Sequence, residues 1–194
     1  MAVAEVDRAD IAWLHAAEAL GMTCSLTFVR GVDEVEALRR LGADEGDIEL
    51  FTGGECPVPE AVRAWRSGEW TVVIERWDNR LVDSGALDAL SAGTEAIMIF
   101  CNVNAWSGFE YVVDGEPVTS FDPVTPDWRE GSDPDRFVEM MRQAGFDPGT
   151  DPVDVDYEID SPGFEGALLL ATRLTGVVLT PEVFHGPLPG ARVK

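Results

Sequence analysis

Lysine is nearly missing. Of 194 residues only the last, Lys194, is one, and every other basic side chain is arginine. A Walker-type phosphate loop, a Schiff-base lysine and a catalytic Ser-Lys pair each need an internal lysine, so those mechanisms are excluded. Histidine is scarce too: His15 and His185 sit at opposite ends of the chain, and a histidine-based metal site would have to recruit both. The three cysteines, Cys24, Cys56 and Cys101, are odd in number and widely spaced, which is neither a disulfide framework nor a zinc pattern. A reducing compartment is the natural reading. No apolar run reaches membrane-spanning length, and the opening MAVAEVDRAD lacks the basic start and apolar core of an export signal. The expected location is the cytoplasm, with no membrane partner.

What the chain has in excess is negative charge. Thirty-six acids against 14 bases give a formal net charge of -22. That field disfavours nucleic acid and anionic lipid, and favours cations or basic proteins. Plain solubility is the alternative use of the same charge. With 45% hydrophobic residues over this length, a single domain spanning residues 1–194 is expected.

Along the chain, Asp7 and Asp10 open an amphipathic helix through Ile11 and Leu14 that ends at Gly21. Strand-like SLTFVRG follows. Asp33 and Glu36 have capping-box spacing before Val35, Leu38 and Leu41, with Gly42 as the stop. The stretch LGADEGDIELFTGGECPVPE reads as an irregular connection with a short strand at 48–51, and PEAVRAWR, residues 59–66, as a short helix with proline in its first turn.

EWTVVIERW is a strand, and TEAIMIFCNVN, nearly all apolar, is the expected central one; DSGALDALSAG between them is helical. In FEYVVDGEPVTSF, Asp114 and Gly115 occupy a two-residue hairpin turn, and Pro117 places the returning strand at an edge or at a bulge. Asp133 and Pro134 open a helix ending at Gly145, Ser161 and Pro162 another ending at Gly176, and Thr180 and Pro181 a last short turn. Strands cluster mid-chain. The fold class is therefore α+β, a central antiparallel β-sheet with helices packed from both chain ends.

Candidate chemistry is thin. His15 lies among apolar helical residues, whereas His185 is in a loop-like tail, where functional side chains are commoner. Cys56 is loop-borne and suits a Cys-His dyad with His185, but Glu55 beside it opposes thiolate formation; Cys101 reads as a small hydrophobe. Asn102 and Asn104 interrupt the end of the apolar strand, where Trp106 and Arg129 are in position to line a pocket; the other reading is that the asparagines pin a bend. Glu75 and Glu110 are strand carboxylates available as acid and base, although such groups on solvated faces are ordinary. No metal site or cofactor is expected.

One stretch stands out. In VDVDYEID, residues 153–160, strand parity puts Val153, Val155, Tyr157 and Ile159 on one side and Asp154, Asp156, Glu158 and Asp160 on the other. It lacks the glycine and terminal glutamate of an EF-hand loop. A charged edge strand resists unwanted pairing. The functional counterpart is a docking face for an arginine- or lysine-rich protein.

LTFVRGVDEVEALRRLGA, WTVVIE, LSAGTEAIMIFCNVNAWSGFEYVVDGEPVTSFDP and GVVLTPEVF together resemble a family of bacterial proteins of unknown function, common in actinomycetes, over most of the chain. The resemblance implies a single cytoplasmic domain and transfers no site. The tryptophan-led strand, the buried strand and the aromatic, acidic hairpin are also similar in style to immunity proteins of bacterial toxin systems. The expectation is an acidic, cytoplasmic protein-interaction module, immunity-like or antitoxin-like, that binds a basic partner. The alternative is an enzyme or small-molecule binder with its pocket at Asn102, Asn104, Trp106 and Arg129.

Overall fold

In the first strand, β1 (Cys24–Arg30), Cys24, Leu26 and Phe28 face one way and Ser25, Thr27 and Val29 the other, and all six are buried. A strand hidden on both faces belongs between two covering layers. The computed structural model describes residues 6–16, 23–53, 61–104, 106–149 and 161–193, and shows those layers.

The remaining strands are β2 (Glu49–Phe51), β3 (Ala61–Ser67), β4 (Trp70–Arg76), β5 (Glu95–Cys101), β6 (Ser107–Val113), β7 (Glu116–Asp122), β8 (Thr125–Glu130) and β9 (Leu188–Arg192). They form one nine-stranded sheet in the order β2-β9-β3-β4-β1-β5-β6-β7-β8. Every pairing among the described residues is antiparallel. The helices are α1 (Arg8–Ala16), α2 (Glu34–Arg40), α3 (Arg80–Asp83), α4 (Ala86–Ser91), α5 (Val138–Gln143), α6 (Gly163–Thr175) and α7 (Pro181–His185). The class is mixed α+β.

Two cores result, one per face. On the first, α6 lays Leu168 and Leu170 over Ile97, Ile99 and Phe109, joined by Ile11 of α1, Met141 of α5 and Phe184 of α7. On the second, Leu38 of α2 and Leu87 and Leu90 of α4 cover Val29, Val73 and Met98. Helix ends follow the expected chemistry: Asp33 accepts the Glu36 amide at 2.8 Å, Thr180 accepts that of Val183 at 3.4 Å, and Gly176 turns left-handed at φ 73°. The β6–β7 turn places Asp114 at φ 51° and Gly115 at φ 80°, and a register shift at Tyr111/Val112, opposite Pro117, makes the anticipated bulge.

The structure corrects several expectations. Residues 61–67 form β3, a strand and not part of a helix: Val62 and Ala64 dock on the α2 side, and Gly68, at φ 61°, turns the chain straight into β4. Pairing with β4 on one side and β9 on the other outweighs a helical preference carried by so few residues. The chain end, LPGAR, gives no strand signal because of Pro189 and Gly190, yet β9 fills the slot between β2 and β3. The middle of the sheet is β1; β5, its neighbour, is buried on both faces as expected. Gly21 and residues 153–160 lie outside the described residues.

Candidate functional site

Asp154, Asp156, Glu158 and Asp160 fall outside the described residues, as does Cys56. Asn102 holds a bend: its Oδ1 accepts the backbone amides of Asn104 at 2.9 Å and Trp106 at 3.1 Å. Asn104 is exposed. Trp106 sets its ring edge-on against Phe100, 4.7 Å between centroids. Arg129 is elsewhere. Standing opposite Phe121 in the register, it belongs to the first face, where its guanidinium donates to Asp135 at 2.8 and 3.0 Å and to the carbonyls of Pro126 and Pro148 at 2.6 and 2.7 Å. Trp106 shares strand parity with Gly108, whose missing Cβ makes room for the Phe100 ring on the second face. Trp106 and Arg129 are therefore on opposite faces.

Of the other candidates, His185 is exposed at the end of α7, 6.3 Å from the Trp13 ring, and Cys101 pairs with Cys24, Sγ to Sγ 3.6 Å. His15 lies in α1, its side chain outside the described set. Glu75 does not lie on a solvated face: it is buried under α3, taking the Ser25 hydroxyl at 2.7 Å and the Arg80 amide at 3.1 Å. Its burial raises its pKa against those hydrogen bonds.

Two surfaces have the makings of a site. The first is the second face of β7 and β8 with the Glu110 end of β6; α4 covers β6 at Val112. Register sets Glu110, Ser120 and Glu130 in one row across the three strands. Trp128, two residues before Glu130 on the edge strand β8, is 72% exposed, in the stretch where the β7–β8 register shifts. Trp106, 42% exposed, has the same parity as Glu110 on β6. Aromatic surface and carboxylates thus share one open sheet face.

The second is a cleft of about 690 Å3 on the first face, at the opposite strand ends from Trp106. Glu95 is its hub: Oε1 accepts from Arg30 at 2.8 Å and Oε2 from the Tyr111 hydroxyl at 2.6 Å. Arg136 lies over the rings of Tyr111 and Phe137, 5.6 and 5.8 Å from their centroids. Burial alone raises the Glu95 pKa, but the hydrogen bonds from Tyr111 and Arg30 and the charges of Arg30 and Arg136 prevail and hold it below the ordinary carboxylate range. Burial, then Glu95, push Tyr111 up to about 12, so it remains a hydrogen-bond donor at neutral pH. Beneath lies a smaller recess of about 80 Å3 walled by Trp70, Ile97, Phe137 and Leu174.

Sequence reasoning did not find the cleft, because Arg30, Glu95, Tyr111 and Arg136 come from four separate segments. Parity within β5 puts Glu95 with Ile97 and Ile99, but the loop between β5 and β6 carries no two-residue turn signal from which the register that brings Tyr111 to it could be read.

Sheet, covering helices and these two surfaces define an α+β protein built on one large antiparallel sheet. The match to the model of a family of unknown function (DUF6461) runs over residues 4–187, and the chain belongs to that family. No curated protein and no solved structure matches it.

Proposed function

We propose that the protein is an acidic interaction module that docks a basic segment of a partner protein on the open face of β6–β8, in the cytoplasm, with toxin neutralisation as the sharpest form of that role. The observation that carries this reading is Trp128: the most exposed of the large apolar side chains among the described residues, on the edge strand β8, two residues from Glu130 of the carboxylate row. An indole face beside carboxylates suits arginine or lysine, by cation–π attraction and by charge. The -22 net charge supplies long-range attraction for the same partner and repels nucleic acid. Arginines such as Arg30, Arg40, Arg63, Arg129 and Arg173 are engaged with carboxylates or carbonyls of the chain itself. The negative surface is thereby left to face outward.

The test is a titration with an oligoarginine peptide over a salt series. Affinity falls with added salt, and Trp128→Ala costs about 0.5–2 kcal/mol of binding. If neutralising Asp154, Asp156, Glu158 and Asp160 abolishes binding while Trp128→Ala does not, docking belongs to that segment and not to this face. If the peptide does not bind at all, the reading fails. A small-molecule pocket at Asn102, Asn104, Trp106 and Arg129 has less behind it, because the asparagine amide is committed to the bend and Arg129 to Asp135.

A further inference from the structure

The geometry points to a binding site for a small organic carboxylate in the cleft between Arg30, Arg136 and Tyr111, with an apolar body seated in the recess below. The recess has the right chemistry for such a body. Trp70, Ile97, Phe137 and Leu174 give it an apolar wall, completed by Glu95, Tyr111 and Arg136, and about 80 Å3 takes one small ring or branched chain. Above it, the polar groups are arranged for an anion.

Glu95 is already engaged, since one oxygen takes Arg30 and the other the Tyr111 hydroxyl. A ligand cation entering there meets two guanidiniums, and the carboxylate it would need is shared with Arg30 and Tyr111. Arg136 is different. Its hydrogen bond among the described residues is one contact of 3.3 Å to Asp133, itself about half exposed, and its side chain is 48% exposed while its plane rests on two aromatic rings. The rings fix the fork without consuming its donors, and a planar fork matches a carboxylate in two parallel hydrogen bonds. Arg30 flanks it, its second contact being to Glu69, which is 74% exposed and so weakly held.

Polyphosphates are disfavoured. Arg30 and Arg136 are balanced in the lining by Glu95 and Asp114, on a chain of net charge -22. A ligand with several negative charges meets that balance unfavourably, whereas a single carboxylate needs only the Arg136 fork. The cleft volume lies within the range of small-molecule sites. The site is independent of the β6–β8 docking face, from which it is separated by the thickness of the sheet.

Calorimetric titration of the full chain with benzoate tests the proposal, with benzylamine as a probe of similar body and opposite charge, at matched ionic strength. Saturable benzoate binding, no benzylamine binding and a roughly tenfold to hundredfold loss in Arg136→Gln are expected. Trp128→Ala binds benzoate as the parent does. Arg136→Lys, which keeps the charge and loses the fork, gives an intermediate affinity and serves as the second variant if Arg136→Gln fails a thermal-melt check of folding. The proposal is overturned by absence of saturable benzoate binding, by equal binding of benzylamine, or by Arg136 variants that fold and bind as the parent does.

Discussion

The Tyr111 hydroxyl donates to Glu95 at 2.6 Å across two adjacent strands, and this bond ties β5 to β6 beside Arg30. Removing it in Tyr111→Phe should cost about 1–3 kcal/mol at neutral pH, because the acceptor is ionised. The Glu95 pKa is depressed in the folded state, so its contribution is present above the ordinary carboxylate range and is lost as pH falls through the lowered value. Denaturant melts should therefore show the gap between parent and variant narrowing on acidification. At the alkaline end Tyr111, pushed up to about 12, stays protonated after an ordinary phenol has ionised, and stability falls as pH rises through that interval.

Glu75 has the opposite sign. Burial raises its folded-state pKa, so stability declines as pH climbs from the ordinary carboxylate range through the raised value, and stays lower beyond it. Glu75→Gln removes that titration. The free-energy difference, variant minus parent, should increase as pH rises from the ordinary carboxylate range through the raised value and then level off, as read by chemical denaturation at stepped pH. A flat difference across the range contradicts the assignment.

Cys24 and Cys101 should differ in reactivity although they face each other. The hydrogen bond with Cys101, then burial, raise the Cys24 thiol well above its ordinary value, whereas the same bond lowers that of Cys101. Peptide-resolved alkylation of the native protein should label Cys101 before Cys24. In Cys24→Ala, Cys101 should react more slowly, having lost the donor that stabilises its thiolate. Faster labelling of Cys24 would contradict this.

Thermal melts should separate the open face from the packed one. Trp128→Ala, at an exposed position, should change stability by less than about 0.5 kcal/mol. Gly108→Ala should cost about 1–3 kcal/mol, since its Cβ would collide with the Phe100 ring carbons and force that ring from the core. Gly131 adds a second case, because its φ of 113° and the Val118 carbonyl standing where a Cβ would go oppose any side chain.

Much of the architecture was legible wherever local chemistry is self-sufficient. The Asp114–Gly115 turn, the Asp33 cap, the glycine stop at Gly176 and the buried β5 are all read from neighbours within a few residues. β3 and β9 were not, because each owes its conformation to strands far away in sequence. The asparagine bend was one of two readings open from sequence, and the hydrogen bonds of Asn102 Oδ1 display it. Glu75 was misplaced for a simple reason: parity says which way a side chain points, not whether a helix covers it.

By itself the sequence determined the charge, the missing lysine chemistry, the α+β class and the individual turns and caps, since each depends on composition or on contacts a few bonds apart. Tertiary structure alone decided the order of the nine strands, the row of Glu110, Ser120 and Glu130 across three of them, and the meeting of Arg30, Glu95, Tyr111 and Arg136. Strand register and helix placement are settled by burying two apolar faces at once, and that energy belongs to the whole sheet and to no single segment of it.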